Sequence, residues 1–454
     1  MAADRLPREL RTYRAWALAH RMPDGVRDAA FPLLVQRIMR RTLHESEGVL
    51  LLEDGELAFR ALVDAIGTAR DEILLETYIL RDDRIGESVR SALAAAVRRG
   101  VRVSVLADAV GSAATGDEFW EQLSADGITW RLFHRLRYLP FEALRRDHRK
   151  IVVIDRAVAF TGGMNIGEEY GSSIRRHETA WRDTLMRMEG SIARELAAVF
   201  AEGWDRAKGP PLPGLEYISW ESLTPAPLVS DASAWSTRAL RARLERRLAQ
   251  RRDRRRGRRV RREIDHVSDG SPSTALVLDS RPGRGQREVL AVLASLVGAA
   301  RKRLWITTPY FAPPTRALAL LRAAARRGVD VRLLVPGERT DVALVRHAAH
   351  GAYHSLLDAG VRVFEYERAT LHAKTLVVDG HAGVVGSTNL DFRSFWLNAE
   401  CNVLLLDDDA AVHLERSFST DCAHSTEITM VQWMSRSWRH RIGDFLARQL
   451  RWAL

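Results

Sequence analysis

The chain has 454 residues, 46% of them hydrophobic, with 69 basic side chains against 58 acidic ones and a formal net charge of +11. That composition excludes a small disulfide-stapled domain and a disordered polyelectrolyte, and it suits a globular protein with one large core or two to three smaller ones. Two cysteines, Cys401 and Cys422, exclude a disulfide framework and fit a reducing compartment.

In chain order, residues 1–48 read as an N-terminal helical segment that carries acids and no apolar leader core. Residues 49–209 read as a first lobe. It holds a buried strand (EILLETYIL, 72–80), a helical stretch ending Arg98-Arg99-Gly100, the strand VRVSVLAD, a further strand after Gly127 and the strand KIVVID. Residues 210–272 form a Pro-rich and then Arg-rich linker or helix. Residues 273–425 repeat the first lobe with RLWITTPYF, a helix ending Arg326-Arg327-Gly328, VDVRLLVP, a strand after Gly360 and KTLVVD. Residues 426–454 form a C-terminal amphipathic segment, with Ile442, Phe445, Leu446 and Leu450 among arginines; it reads equally as membrane-lying or as a cover for the body. Alternating strand and helix predicts an α/β fold of two tandem lobes with mixed, largely parallel sheets. No stretch nears the roughly 18 apolar residues of a spanning helix, so the expected location is cytoplasmic.

Residues 238–262 contain fourteen arginines against Glu245 and Asp253, so this stretch alone accounts for the net charge. A nearly neutral body with one cationic segment is not a nucleic-acid-coating surface; it suits an anionic membrane surface, and no specific nucleic acid is expected. Leu240, Leu244 and Leu248 recur every four residues, leaving an amphipathic helix and a solvated linker both open.

The chemistry-bearing pattern occurs twice. His148-Arg149-Lys150 is followed by Asp155 and by Gly162-Gly163-Met164-Asn165, and His372-Ala373-Lys374 by Asp379 and by Gly386-Ser387-Thr388-Asn389. In both, lysine lies two, aspartate seven and asparagine seventeen residues beyond histidine. Strand residues i and i+2 share a face, so each His and Lys pair enters one pocket. Only Lys150, Lys208, Lys302 and Lys374 among the 69 basic residues are lysine, so a compact ammonium is favoured at both motif positions. Gly163 and Ser387 are small enough for close backbone approach to a phosphate, and Asn165 and Asn389 add neutral donors. His347, His350 and His354 have helical spacing, but without cysteines or carboxylates beside them they read as an ordinary helix face, and no metal or other cofactor is expected.

The doubled H-x-K-x4-D motif, with its small-residue turn and asparagine, resembles the phospholipase D superfamily. The stretches LLETYILRDDRIG, TPYFAPP and LHAKTLVVDGHAGVVGSTNLDFRSFWLNAE are most similar to bacterial cardiolipin synthases of the short type without N-terminal spans. The resemblance implies two lobes about a pseudo-twofold axis and one phosphodiester-transfer site between them. One histidine, assigned to His148, attacks phosphorus and His372 moves protons, with Lys150 and Lys374 on the phosphate oxygens. It also implies a carboxylate for each histidine, Glu400 and Asp183, and it puts Asp155 and Asp379 within the catalytic motif, although their place at the far strand ends suits a structural role. The implied reaction is phosphatidyl transfer giving cardiolipin from phosphatidylglycerol on the inner face of a bacterial membrane; the alternative is hydrolysis of phospholipid or nucleic acid.

Overall fold

A computed structural model describes residues 8–133, 144–173, 180–215 and 273–436. The arginine run at 238–262 and most of the C-terminal segment lie outside the described residues. The first half contributes β1 (His44–Leu52), β2 (Glu72–Thr77), β3 (Arg102–Asp108), β4 (Thr129–Phe133), β5 (Ile151–Ile154), β6 (Val158–Gly162), β7 (Trp181–Arg182) and β8 (Leu185–Gly190). The second contributes β9 (Ser273–Ser280), β10 (Arg303–Thr307), β11 (Asp330–Pro336), β12 (Arg362–Tyr366), β13 (Thr370–Leu371), β14 (Thr375–Val378), β15 (Ala382–Gly386), β16 (Glu400–Leu406) and β17 (Ser425–Ile428). The first lobe's opening strand thus begins five residues before the expected boundary, and β17 carries the second lobe past residue 425.

Fifteen of these strands make one continuous sheet, in the order β17-β12-β11-β10-β14-β15-β16-β9-β1-β8-β6-β5-β2-β3-β4. From the central β9–β1 pair outward, β16, β15, β14, β10, β11 and β12 repeat β8, β6, β5, β2, β3 and β4, which is the expected pseudo-twofold relation. The lobes are therefore halves of one sheet, joined by antiparallel pairing of His44–Ser46 with Ser273–Ala275.

The sheet is mixed, but the expectation that it is largely parallel is corrected. Within it only β2–β3, β3–β4, β10–β11 and β11–β12 are parallel. Those strands are the ones linked by helical crossovers, such as Arg84–Arg98 between β2 and β3. The motif strands β5 and β14 instead turn straight back as hairpins into β6 and β15, which makes their pairing antiparallel.

Burial explains why the motif strand β5 is apolar at every position. The IVVI of β5 is buried throughout, with Ile151 and Val153 on one face and Val152 and Ile154 on the other. One core lies under helices Ser191–Arg206 and Asp408–Cys422 and mixes residues of both halves, among them Met186, Leu196, Phe200, Val277, Val385 and Val403. The N-terminal helices Arg8–His20 and Phe31–Met39 pack on the second half through Ala19, Phe31 and Val35. Arg301 Nη2 donates to the His20 carbonyl at 2.9 Å, and a Cβ at Gly298 would meet the Trp16 carbonyl at 2.5 Å.

Candidate active site

His148 and His372 lie three residues ahead of the first residues of β5 and β14, where the two halves meet. The backbone N–H of His148 donates to Ala399 C=O at 2.9 Å, and that of His372 to Arg182 C=O at 2.8 Å. Ala399 and Arg182 each immediately precede the carboxylate residue of their own half. The result is an exchange: His148 Nδ1 lies 3.0 Å from Glu400 Oε2, and His372 Nδ1 lies 2.6 Å from Asp183 Oδ2. The sequence counts each carboxylate from the histidine of its own half; the fold gives it to the histidine of the other. Beside them, β7 and β13 form a parallel pair across the two halves.

All four groups and both lysines are buried, which governs their protonation. Burial pushes the His148 imidazole down, aided by Lys150 and Lys374 and opposed by Glu400. Burial and the Lys374 charge bring His372 to about 4 against the pull of Asp183. Burial works to raise both carboxylates, but Lys374 and His372 together hold Asp183 low, and His148 and Lys150 hold Glu400 low. An ionised carboxylate only accepts hydrogen bonds, so Nδ1 carries the proton toward it in each pair and Nε2 is left as the acceptor of the neutral ring. Burial lowers Lys150 to about 7 and Lys374 to about 8, although Glu400 and Asp183 oppose the shifts.

Lys150 Nζ donates to the His148 carbonyl at 2.7 Å and lies 5.3 Å from the Tyr78 ring centre. Lys374 Nζ folds onto the His372 carbonyl and lies 3.1 Å from His372 Nε2. Lys374 thus lies against the His372 ring, 2.7 Å from Nδ1 as well, while Lys150 is held at the His148 backbone, close enough for its charge to lower that imidazole. Asn165 and Asn389 differ. Asn165 Oδ1 accepts from Ile79 N at 3.1 Å and its amide donates to Tyr170 Oη at 2.8 Å, whereas Asn389 Oδ1 is buried with no partner.

Gly163 and Ser387 serve the carboxylates. A Cβ at Gly163 would lie 2.1 Å from Asp183 Oδ1, so glycine leaves the space that this carboxylate fills. Ser387 Oγ instead donates to Glu400 Oε2 at 2.5 Å. Both positions thus support the carboxylates that pair with the histidines. Asp155 and Asp379 have their carboxylates on backbone donors, in keeping with the structural role their place at the far strand ends suits. Asp155 accepts the backbone N–H groups of Arg70, Asp71 and Glu72 at 2.8–3.0 Å, and Asp379 those of Arg301, Lys302 and Arg303 at 2.7–2.8 Å. With its carboxylate so occupied, each fixes the start of β2 or β10.

Several contributors escaped the sequence reading. Tyr170, Trp181 and Tyr310 surround the His372 ring at centroid distances of 5.4, 5.2 and 6.4 Å, while Tyr78 meets His148 edge-on at 5.1 Å. Ser394 Oγ and Asn398 Nδ2 donate to Glu400 Oε1 at 2.7 and 3.3 Å. A signal existed: Tyr170 and Ser394 each lie five residues beyond the motif asparagine, and Trp181 and Asn398 each lie two before the carboxylate. Residue types differ at these equivalent positions, so a search for identities passes over them. Of the three helix-face histidines, His350 Nε2 pairs with Glu365 Oε1 at 3.0 Å, and no group of three or more metal-ligating side chains occurs among the described residues.

The family model described as "Cardiolipin synthase, PLD-like domain" matches residues 62–204 and 293–422, one segment per half. A cardiolipin synthase of Geobacillus kaustophilus (strain HTA426) is 32% identical over 95% of this chain and 77% of its own length. Cardiolipin synthase 1 of Bacillus anthracis is 30% identical over 98% of this chain and 80% of its own. Among solved structures, the phosphatidylserine synthase of Haemophilus influenzae Rd KW20 covers 97% of both chains with a TM-score of 0.61 at 15% identity, which shows a shared fold. Matched in both halves by the family model and over nearly its whole length by these relatives, the chain belongs to the phospholipase D-like cardiolipin synthase family.

Proposed function

We propose that this enzyme, a phosphatidyltransferase by family, moves a phosphatidyl group between two phosphatidylglycerol molecules, giving cardiolipin and glycerol through a phosphohistidine intermediate. The observation that carries the reading is the exchanged pairing of two buried histidines with two carboxylates, with a buried lysine on each histidine's backbone carbonyl.

In the first step, Nε2 of one histidine attacks phosphorus and the bond from phosphorus to the glycerol headgroup oxygen breaks. The second histidine delivers a proton to that oxygen. In the second step it withdraws a proton from the hydroxyl of the acceptor lipid, which attacks the phosphohistidine and frees the imidazole. We assign His148 to attack and His372 to proton transfer, by resemblance. Both histidines are held below their usual range in the resting site, so the first is ready as a nucleophile. A phosphodiester anion entering between them raises both and supplies the condition for protonating the second. Lys150 and Lys374 gain a fixed counter-charge at the same moment and stabilise the oxygens of the transition state.

The enzyme works in this reading as a peripheral protein on an anionic membrane, at its cytoplasmic face. The test is product analysis with purified protein and defined phosphatidylglycerol. Cardiolipin and glycerol in equal amounts are expected. Phosphatidic acid with glycerol would identify water as the acceptor, and no turnover of the lipid would remove the proposal.

A further inference from the structure

We infer that the apolar loop tips around the catalytic site are the surface by which the protein docks on a lipid bilayer; the inference rests on the lipid-substrate reading above. Val110, Leu144, Val342, Leu344, Phe392 and Trp396 are each 37–44% exposed. All six lie in loops or in helical turns next to the strands that feed the site. Val110 follows β3, Leu144 lies just ahead of His148, Val342 and Leu344 follow β11, and Phe392 and Trp396 follow Asn389.

Contacts between neighbouring loops tie them to one rim. Arg393 Nη2 donates to the Leu144 carbonyl at 3.3 Å, and the Phe392 and Trp396 rings are 6.4 Å apart. Gly111, beside Val110, packs on the Tyr78 backbone and ring, and Tyr78 meets His148. Tyr310, which faces His372, donates its hydroxyl to Asp341, the residue before Val342. Both halves therefore contribute apolar tips around the site. Loop tips that carry function ordinarily present polar groups, so large side chains there point to an apolar partner. A bilayer fits because an acyl chain must leave its leaflet as the headgroup reaches the buried histidines, and a rim seated in the headgroup region shortens that path. Aromatic residues with neighbouring arginines, here Phe392 and Trp396 beside Arg145 and Arg393, suit that interfacial depth.

The experiment compares wild-type protein with a Leu144→Ser/Phe392→Ser/Trp396→Ser variant in sedimentation with vesicles of equimolar phosphatidylglycerol and phosphatidylcholine. It is run at low salt and at about 0.5 M NaCl, where the Debye length of about 4 Å suppresses attraction by the arginine run. Wild-type binding should keep a salt-resistant part that falls at least about tenfold in the variant. Thermal unfolding and gel filtration accompany the measurement. An unchanged salt-resistant partition in a folded variant overturns the inference, and so does a change of oligomeric size without a change in vesicle binding, which would make the patch a contact between copies. Sedimentation reads no turnover, so its failure leaves the phosphatidyl-transfer reading standing, and loss of that reading is detected separately by the lipid products.

Discussion

At the scale of single residues, the decisive arrangement is the packing of Gly163 beneath Asp183. Equivalent positions in the two halves solve one problem differently: the longer Glu400 is met by the Ser387 hydroxyl, while the shorter Asp183 needs the space that a missing Cβ leaves. Gly163 has no positive φ, so alanine is acceptable to the backbone and the conflict falls on the carboxylate alone. Gly163→Ala should fold with a melting temperature within a few degrees of wild type and lose catalysis on the order of a hundredfold or more, as expected when a histidine loses its orienting carboxylate. Asp183→Asn should reproduce the loss. Steady-state turnover with matched circular dichroism checks this, and a fully active Gly163→Ala protein would show that Asp183 does not govern His372. The sequence made the histidines, lysines and asparagines legible because each copy repeats their types at identical offsets. It concealed the roles of Gly163 and Ser387, since a small residue beside a phosphate motif reads the same whether it approaches a ligand or a neighbouring side chain.

At the scale of elements, the two motif aspartates set where the catalytic strands begin. Asp155, Arg156 and Asp379 all have positive φ, between 50° and 52°, a conformation held here by three backbone donors on each carboxylate. Asp379→Ala removes those acceptors and leaves the N–H groups of Arg301, Lys302 and Arg303 to water. The expected cost is about 1–3 kcal/mol of stability, with turnover per folded molecule changed far less than by loss of either histidine. Urea unfolding alongside activity separates the effects; unaltered stability with abolished turnover would place Asp379 in the chemistry. Strand identity was readable in KIVVID and KTLVVD because two-sided burial requires unbroken apolar runs. Strand direction was not, because a short hairpin and a helical crossover leave similar marks in a sequence until the turn between β5 and β6 is seen to be too short for a crossover.

At the scale of the molecule, the same exchange that builds the site binds the halves together. The β1–β9 ladder, the β7–β13 pair, the core shared beneath helices Ser191–Arg206 and Asp408–Cys422, and both histidine–carboxylate pairs cross between the halves. The duplication was visible in the sequence, but the exchange was not, because counting residues along one half cannot show which half a carboxylate faces. A physical consequence follows for the stretch between residues 215 and 273. The contacts just named do not pass through it, so covalent continuity there is dispensable once the protein has folded. A protease site placed in the arginine-rich stretch and cut after purification should give two fragments that elute together at the size of the intact chain. They should retain lipid turnover in detergent within about threefold, because the β1–β9 ladder, the shared core and the two histidine–carboxylate pairs join the halves directly. Denaturing and separating the fragments should abolish activity in each, since His148 then lacks Glu400 and His372 lacks Asp183. Mixing them during refolding should restore it. Fragments that separate under native conditions, or one fragment that turns over substrate alone, would show that the site does not depend on the shared sheet.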